Sequence, residues 1–236
     1  RMALLLAGLP YSIPGETVNR LCASGMSSVI HAHRAIQVQD GNIYIAGGVE
    51  NMTRGPWVIS KSSKPFGRDS EMFDSSFGWR FINPRLNELY GTESMGQTAE
   101  NLAEKYSINR EDQDKFAYNS QKKATNAQNN GRFEKEISPI KLPQRKAISI
   151  QFDLDEFIKP DTNLEILSSL KAVFKKNGSV TAGNSSGIND GSAAMIIASE
   201  NGINTHGLKP IARIVSSAVV GVEPNIMGIG PVKATN

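Results

Sequence analysis

The chain has 236 residues, 39% hydrophobic and 21% charged, a balance that supports a folded core of ordinary size. Its 26 basic and 23 acidic side chains leave a formal charge of +3, too small and too dispersed for a nucleic-acid footprint. The longest apolar run, 2–7, is far short of a membrane span, and a single cysteine excludes an internal disulfide or a multi-cysteine metal centre. No metal site is expected. The lack of disulfides and of a signal peptide fits a reducing cytoplasm.

In chain order, "RMALLLAGLP" reads as an apolar helix entered without capping residues, and Gly8, Pro10, Pro14 and Gly15 form a turn after it. Residues 16–21 read as a short strand. From about 24 to 39, Met26, Val29, Ile30 and Ile36 recur near helical spacing, and Gly41 stops the helix. "NIYIAGG", 42–48, reads as a buried strand. Strand, helix and strand at this spacing predict a βαβ unit in a parallel sheet.

After Arg54 the chain becomes richer in charge, and most of its basic and acidic residues fall between 55 and 180. Residues 61–84 read as irregular loop with aromatic anchors. Two helices are expected near 98–105 and 110–128. Asn109 is placed to cap the second, Glu111 and Asp112 suit its first turn, and Phe116, Ser120, Ala124 and Ala127 are its expected inward face. A glycine-rich stretch then leads into a buried strand at 193–198, and "IARIVSSAVVGV", 211–222, reads as a second one. No internal repeat or low-complexity tract occurs. Because no cap precedes the first helix and no element closes "GPVKATN", the chain is expected to be an internal piece of a longer protein.

Cys22 falls where the strand hands over to the helix. Amide groups of a first helical turn and the helix dipole favour a thiolate there, and Ser24 and Gly25 leave the approach open. The same amides can receive an oxyanion. Free cysteine is also among the most buried residue types, so local physics leaves nucleophile and core residue both open. His31 and His33 lie on the same helix, roughly 13 to 16 Å away at the helical rise, too far to take the Cys22 proton directly. They read as structural histidines, and His206 as a surface-loop residue.

"VNRLCASGM", "YIAGGVENM", "MGQTAENLAEKY", "DQDKFAYNSQKKA", "GRFEKEI" and "VTAGNSSGINDGSAAMIIAS" together resemble the thiolases, in family order and over nearly the whole chain. The resemblance implies an α/β thiolase-like fold: an N-terminal half with an inserted CoA-binding loop domain, here incomplete at both ends. It divides the chain into 1–54 with 181–206 as the N-terminal half, 55–180 as the inserted loop domain, and 207–236 as the start of the C-terminal half. Cys22 matches the acyl-accepting nucleophile of the family, which implies ping-pong transfer through an acyl-cysteine. CoA then serves as substrate, and no permanently bound cofactor is expected. A homodimer or homotetramer is implied, with the segment before Cys22 at the dimer interface.

Other positions carry over singly. Ser186 matches a residue contacting the pantetheine arm, and Ala182 lies along the same arm; by itself, Ser186 also suits an ordinary turn. Met95 matches a residue near the acyl group, where plain core packing is the alternative. Lys159 stands where some members place an arginine over the adenine, keeping the charge and losing the planar stacking surface. The family's activating histidine, second cysteine and water-holding asparagine belong to the C-terminal half, so these 236 residues alone are expected to be inactive.

"EMFDSSFGWRFINPRLNELYG" resembles the branch that cleaves 3-oxoadipyl-CoA to succinyl-CoA and acetyl-CoA in aromatic-compound breakdown. That substrate ends in a carboxylate, which Arg80 could hold, with Arg54 behind it; a surface salt bridge is the competing role for Arg80. Ser94 favours the branch slightly. A general acetyl-CoA acetyltransferase, a ketosynthase and a silent CoA-binding fragment are the other readings.

Overall fold

The computed structural model describes residues 1–145 and 148–236. The elements are, in order, α1 (Met2–Leu6), α2 (Ser24–Gln37), β1 (Ile43–Glu50), β2 (Trp57–Ile59), β3 (Met72–Asp74), α3 (Pro84–Tyr90), α4 (Met95–Lys105) and α5 (Arg110–Asn129). A 3-10 turn, Arg132–Lys135, then leads to β4 (Ile140–Leu142), β5 (Ile150–Phe152), α6 (Leu164–Ser169), β6 (Gly191–Ala198) and α7 (Glu200–His206). A second 3-10 turn, Pro224–Ile229, precedes α8 (Gly230–Thr235). Among the described residues, no helix is long and apolar enough to cross a membrane.

Two compact units form. One comprises Arg1–Arg54 with Asn189–Val219, the other Gly55–Ile188 with Val220–Asn236. In the first, α2 packs on β1, and β1 pairs with β6 in an antiparallel ladder from Ile43↔Ala198 to Glu50↔Gly191. Ser27, Ile30 and Ala32 of α2 and Ala46 of β1 are buried. Gly47 is needed by space, because an added Cβ there overlaps the Ala193 carbonyl oxygen of the neighbouring strand. Thr53 N–H donates to Asp190 Oδ1 at 2.9 Å and ties the far ends of the two strands together.

The sheet corrects the expected βαβ unit. Residues 16–21 form no strand; their contribution is a single bridge between Arg20 and Cys22. Local side chains satisfy this backbone instead: Leu21 N–H donates to Asn19 Oδ1 at 2.9 Å and Arg20 N–H to Ser24 Oγ at 2.8 Å. Without that strand, β1 takes as partner the strand that returns after the long excursion, and the ladder is antiparallel. The strands are also less buried than expected. Ile45 and Ile196 pair across the ladder on one face and are 58% and 60% exposed. The expected strand at 211–222 is irregular, with Ile211, Val215 and Val219 exposed. These apolar runs carry the composition of strands covered on both faces, while α2 covers one.

The second unit is built on α4 and α5. Ser94 caps α4 by accepting the Gln97 amide, in a Ser-x-x-Gln pattern that starts the helix three residues before the expected position. Asn109 caps α5 as expected, its Oδ1 accepting the Asp112 amide at 2.8 Å. Half of the expected inward face of α5 holds: Ala124 and Ala127 are half-buried, while Phe116 and Ser120 are not. Phe116 is 79% exposed and Ser120 is exposed, while Asp114 is buried and Ala117, Gln121, Ala124 and Gln128 are half-buried on its side of the helix. The helix turns a polar stripe inward because α6 and the 179–184 loop offer it hydrogen-bonding groups. Residues 61–84, expected as loop, contain β3, which pairs antiparallel with β2 just before the segment. Asn83 caps α3 by accepting the Leu86 amide, with Pro84 at its first position. His206 is the last residue of α7 rather than a loop residue, and Gly207 closes that helix with φ 60°.

Candidate active site

Cys22 is exposed, two residues before the first turn of α2. Among the described residues its side chain is not packed into a core. The turn that presents it is locked: Ala23 N–H donates to the Arg20 carbonyl and Ser24 N–H to the Leu21 carbonyl, each at 3.0 Å. Ser24 Oγ donates to the Leu21 carbonyl at 2.6 Å while accepting the Arg20 amide. Leu21 adopts φ 48°, a left-handed conformation that a leucine takes only under constraint. Gly25 faces open space. His31 Nδ1 lies 3.7 Å from Glu16 Oε1. Among the described residues no group of three metal-ligating side chains forms.

In the second unit, α4 and α5 organise the segments bearing the remaining candidates. Met95 is the first residue of α4 and 62% exposed, so core packing does not account for it. Ala182 and Ser186 are exposed on the 179–186 loop, and Lys159 is exposed after β5. Gln121 Oε1 accepts the Lys159 amide at 2.9 Å. Asp114 Oδ1 accepts from Asn184 Nδ2 at 3.0 Å. Asp114 and Gln121 are seven residues apart on α5, two turns on one face, so about 10 Å of helix anchors both the Lys159 and the Ser186 segments. Lys159 Nζ itself lies 6.0 Å from the Phe157 ring centre, a cation–π contact at the edge of the useful range.

Arg80 is exposed between two anchors. Trp79 Nε1 donates to the Glu93 carbonyl at 3.1 Å, and Phe81 meets Phe73 edge-on with centroids 5.1 Å apart. The Arg80 guanidinium donates from Nη1 to the Gly78 carbonyl at 2.8 Å, and among the described residues it has no ion pair with a carboxylate. A surface salt bridge therefore does not occupy it. Arg54 stands in the first unit, its amide donating to Asn51 Oδ1 at 3.2 Å.

Sequence reasoning missed the buried polar groups beneath this surface. Glu100 and Asp114 are each 4% exposed. Asp114 Oδ2 accepts from Arg110 Nε at 2.7 Å, and Arg110 Nη2 donates to the carbonyls of Leu167 and Leu170 at 2.6 and 2.9 Å. The one signal for them was negative: acidic residues standing on helix faces where an apolar residue would otherwise be expected.

A family model for the thiolase N-terminal domain matches residues 1–201. The chain belongs to the thiolase family. It is 52% identical over 235 residues to the 3-oxoadipyl-CoA/3-oxo-5,6-dehydrosuberyl-CoA thiolase of Escherichia coli K12, covering 100% of this chain and 59% of that protein. It is 51% identical over 234 residues to a beta-ketoadipyl-CoA thiolase of Acinetobacter baylyi, covering 99% of this chain and 58% of the relative. Among solved structures, human mitochondrial 3-ketoacyl-CoA thiolase in complex with CoA aligns with TM-score 0.85 and 38% identity, over 98% of this chain and 56% of that one. The thiolase-like α/β fold is thus established, and the chain spans less than two thirds of the length of these relatives.

Proposed function

We propose that the native protein carrying this thiolase chain cleaves 3-oxoadipyl-CoA with CoA to succinyl-CoA and acetyl-CoA. The observation that carries this reading is the identity of about one half with two relatives named for that substrate, extending across the whole chain. In the first step Cys22 Sγ attacks the 3-keto carbon, forming a C–S bond. The bond between carbons 2 and 3 breaks, and its electron pair leaves on acetyl-CoA, which takes up a proton. In the second step the thiol of a new CoA attacks the succinyl–Cys22 thioester, releasing succinyl-CoA and restoring the cysteine.

Ser186 and Ala182 line the pantetheine arm in this reading, Lys159 attends the adenine end, Met95 borders the acyl group and Arg80 pairs with the distal carboxylate. The exposure of all five and the unpaired Arg80 support these roles. The inserted loop domain is 55–180, flanked by the N-terminal half at 1–54 and 181–206, and 207–236 begins the C-terminal half. The proton-handling groups belong to the C-terminal half in family members, so the 236 residues alone do not turn over. The protein works in the cytoplasm as a homodimer or homotetramer; a reducing compartment keeps an exposed nucleophilic thiol free.

The test is to supply 3-oxoadipyl-CoA and CoA and to follow both products by mass spectrometry, with acetoacetyl-CoA as competitor. A preference for 3-oxoadipyl-CoA of at least about tenfold in kcat/KM is expected. Equal or reversed preference would identify a general acetyl-CoA acetyltransferase. Cys22→Ser should abolish the acyl-enzyme.

A further inference from the structure

We infer that Glu100 is a positioning residue for CoA, holding the 179–186 loop in the shape that presents Ala182 and Ser186. The inference rests on the assignment of those two residues to the pantetheine arm. The loop has no regular secondary structure, so its amides need acceptors from elsewhere. Glu100, buried on α4 and eighty positions away, supplies them. Its Oε1 accepts Ser179 N–H at 2.9 Å and Val180 N–H at 2.8 Å, and its Oε2 accepts from Ser179 Oγ at 3.2 Å. A carboxylate offers two oxygens and about four lone-pair positions, enough for three donors at once.

The rest of the loop is directed inward in the same way. Asn184 Oδ1 accepts the Thr181 amide at 2.8 Å, while Nδ2 donates to the Ser179 carbonyl and to Asp114 Oδ1, each at 3.0 Å. Ser185 Oγ donates to the Thr181 carbonyl at 2.7 Å, and Thr181 is fully buried. Ala182 and Ser186 are what the loop leaves on the surface. Space is set for this arrangement too: an added Cβ at Gly178 overlaps the Glu100 carboxylate, so a side chain there displaces the carboxylate from the two bonded amides. The neighbouring cation, Lys175, is engaged by Glu104 Oε2 at 2.5 Å, which leaves the Glu100 oxygens to the loop.

Glu100→Ala strands one buried and one half-buried amide, a penalty large enough to release the loop. In the native protein, CoA binding measured calorimetrically should weaken by about tenfold or more. Gly178→Ala, which pushes the carboxylate away without removing it, should weaken CoA in the same direction. Glu100→Gln keeps an acceptor oxygen for both amides and should bind CoA within about threefold of the unaltered protein. Alkylation of Cys22 by iodoacetamide should stay within about twofold in all three, since the loop does not set the chemistry of the thiol. Unchanged CoA affinity in Glu100→Ala overturns the inference. If that variant does not fold, unchanged affinity in Gly178→Ala overturns it instead. An Ala182→Trp control separates the two layers. If it weakens CoA while Glu100→Ala does not, the positioning role alone falls; if it leaves CoA affinity intact, the arm assignment falls and the role of Glu100 with it.

Discussion

Asp114 and Asn184, seventy positions apart in sequence, join side chain to side chain at 3.0 Å, and the same carboxylate receives Arg110 at 2.7 Å. One buried group thus ties α5 to the loop that carries Ser186 and, through Arg110, to the end of α6. Asp114→Ala leaves Arg110 and Asn184 without that partner. Breaking such a pair is strongly destabilising when buried, and the partial exposure of Arg110 reduces the effect, so a loss of about 2 kcal/mol is expected in urea denaturation. A change below about 0.5 kcal/mol would show that the network is not coupled to stability.

Gly47 and Gly48 are adjacent on β1 and differ sharply in surroundings. A methyl group at Gly47 meets the Ala193 carbonyl oxygen, which the sheet ladder holds in place, whereas at Gly48 the nearest atom is Gly25 Cα at 3.7 Å. Gly47→Ala should destabilise the protein by about 2 kcal/mol, and Gly48→Ala should be tolerated within about 0.5 kcal/mol. Thermal unfolding of the two variants side by side decides it. Equal effects would mean the strand pair adjusts to accept the methyl group.

Arg80 has a guanidinium bonded to one local carbonyl and, among the described residues, to no carboxylate. On the proposed pairing with the distal carboxylate, Arg80→Ala should raise the KM for 3-oxoadipyl-CoA by at least about tenfold and leave that for acetoacetyl-CoA nearly unchanged. Equal increases for both substrates would assign Arg80 to general binding or to the loop.

Asp190 is held below the usual carboxylate range, chiefly by the amide of Thr53 and then by its side chain. A carboxylate depressed on folding contributes stability that is full above its unfolded value, near pH 4, and is lost as pH falls through the lower folded value. Asp190→Asn should therefore lower the urea midpoint at neutral pH, and the gap to the unaltered protein should close on going below about pH 4. A gap of the same size at neutral and acid pH would remove the role of the charge.

Phe116 and Leu167 test the orientation of α5. Phe116→Gln should change stability by less than about 0.5 kcal/mol, since the ring is exposed, while Leu167→Ala, at the buried residue of α6 that packs toward α5, should cost about 3 kcal/mol. A large loss at Phe116 would restore the face expected from periodicity.

What the sequence determined by itself was local. The cap at Asn109 follows from a side-chain oxygen reaching an amide three residues on, whereas the sequence left the exposure of Cys22 open. The ordered motifs identified the family and carry the candidates Ser186 and Met95, Lys159 comes from the wider family likeness, and Arg80 comes from the branch stretch 71–91. The tertiary structure decided the partners. That β1 pairs antiparallel with β6, that α5 turns Asp114 inward and Phe116 outward, and that Glu100 holds a loop eighty positions away are choices among distant groups. Hydrophobic periodicity reports which face of an element is apolar, but a buried carboxylate is stable only where donors from elsewhere in the chain converge on it. That convergence exists only in three dimensions.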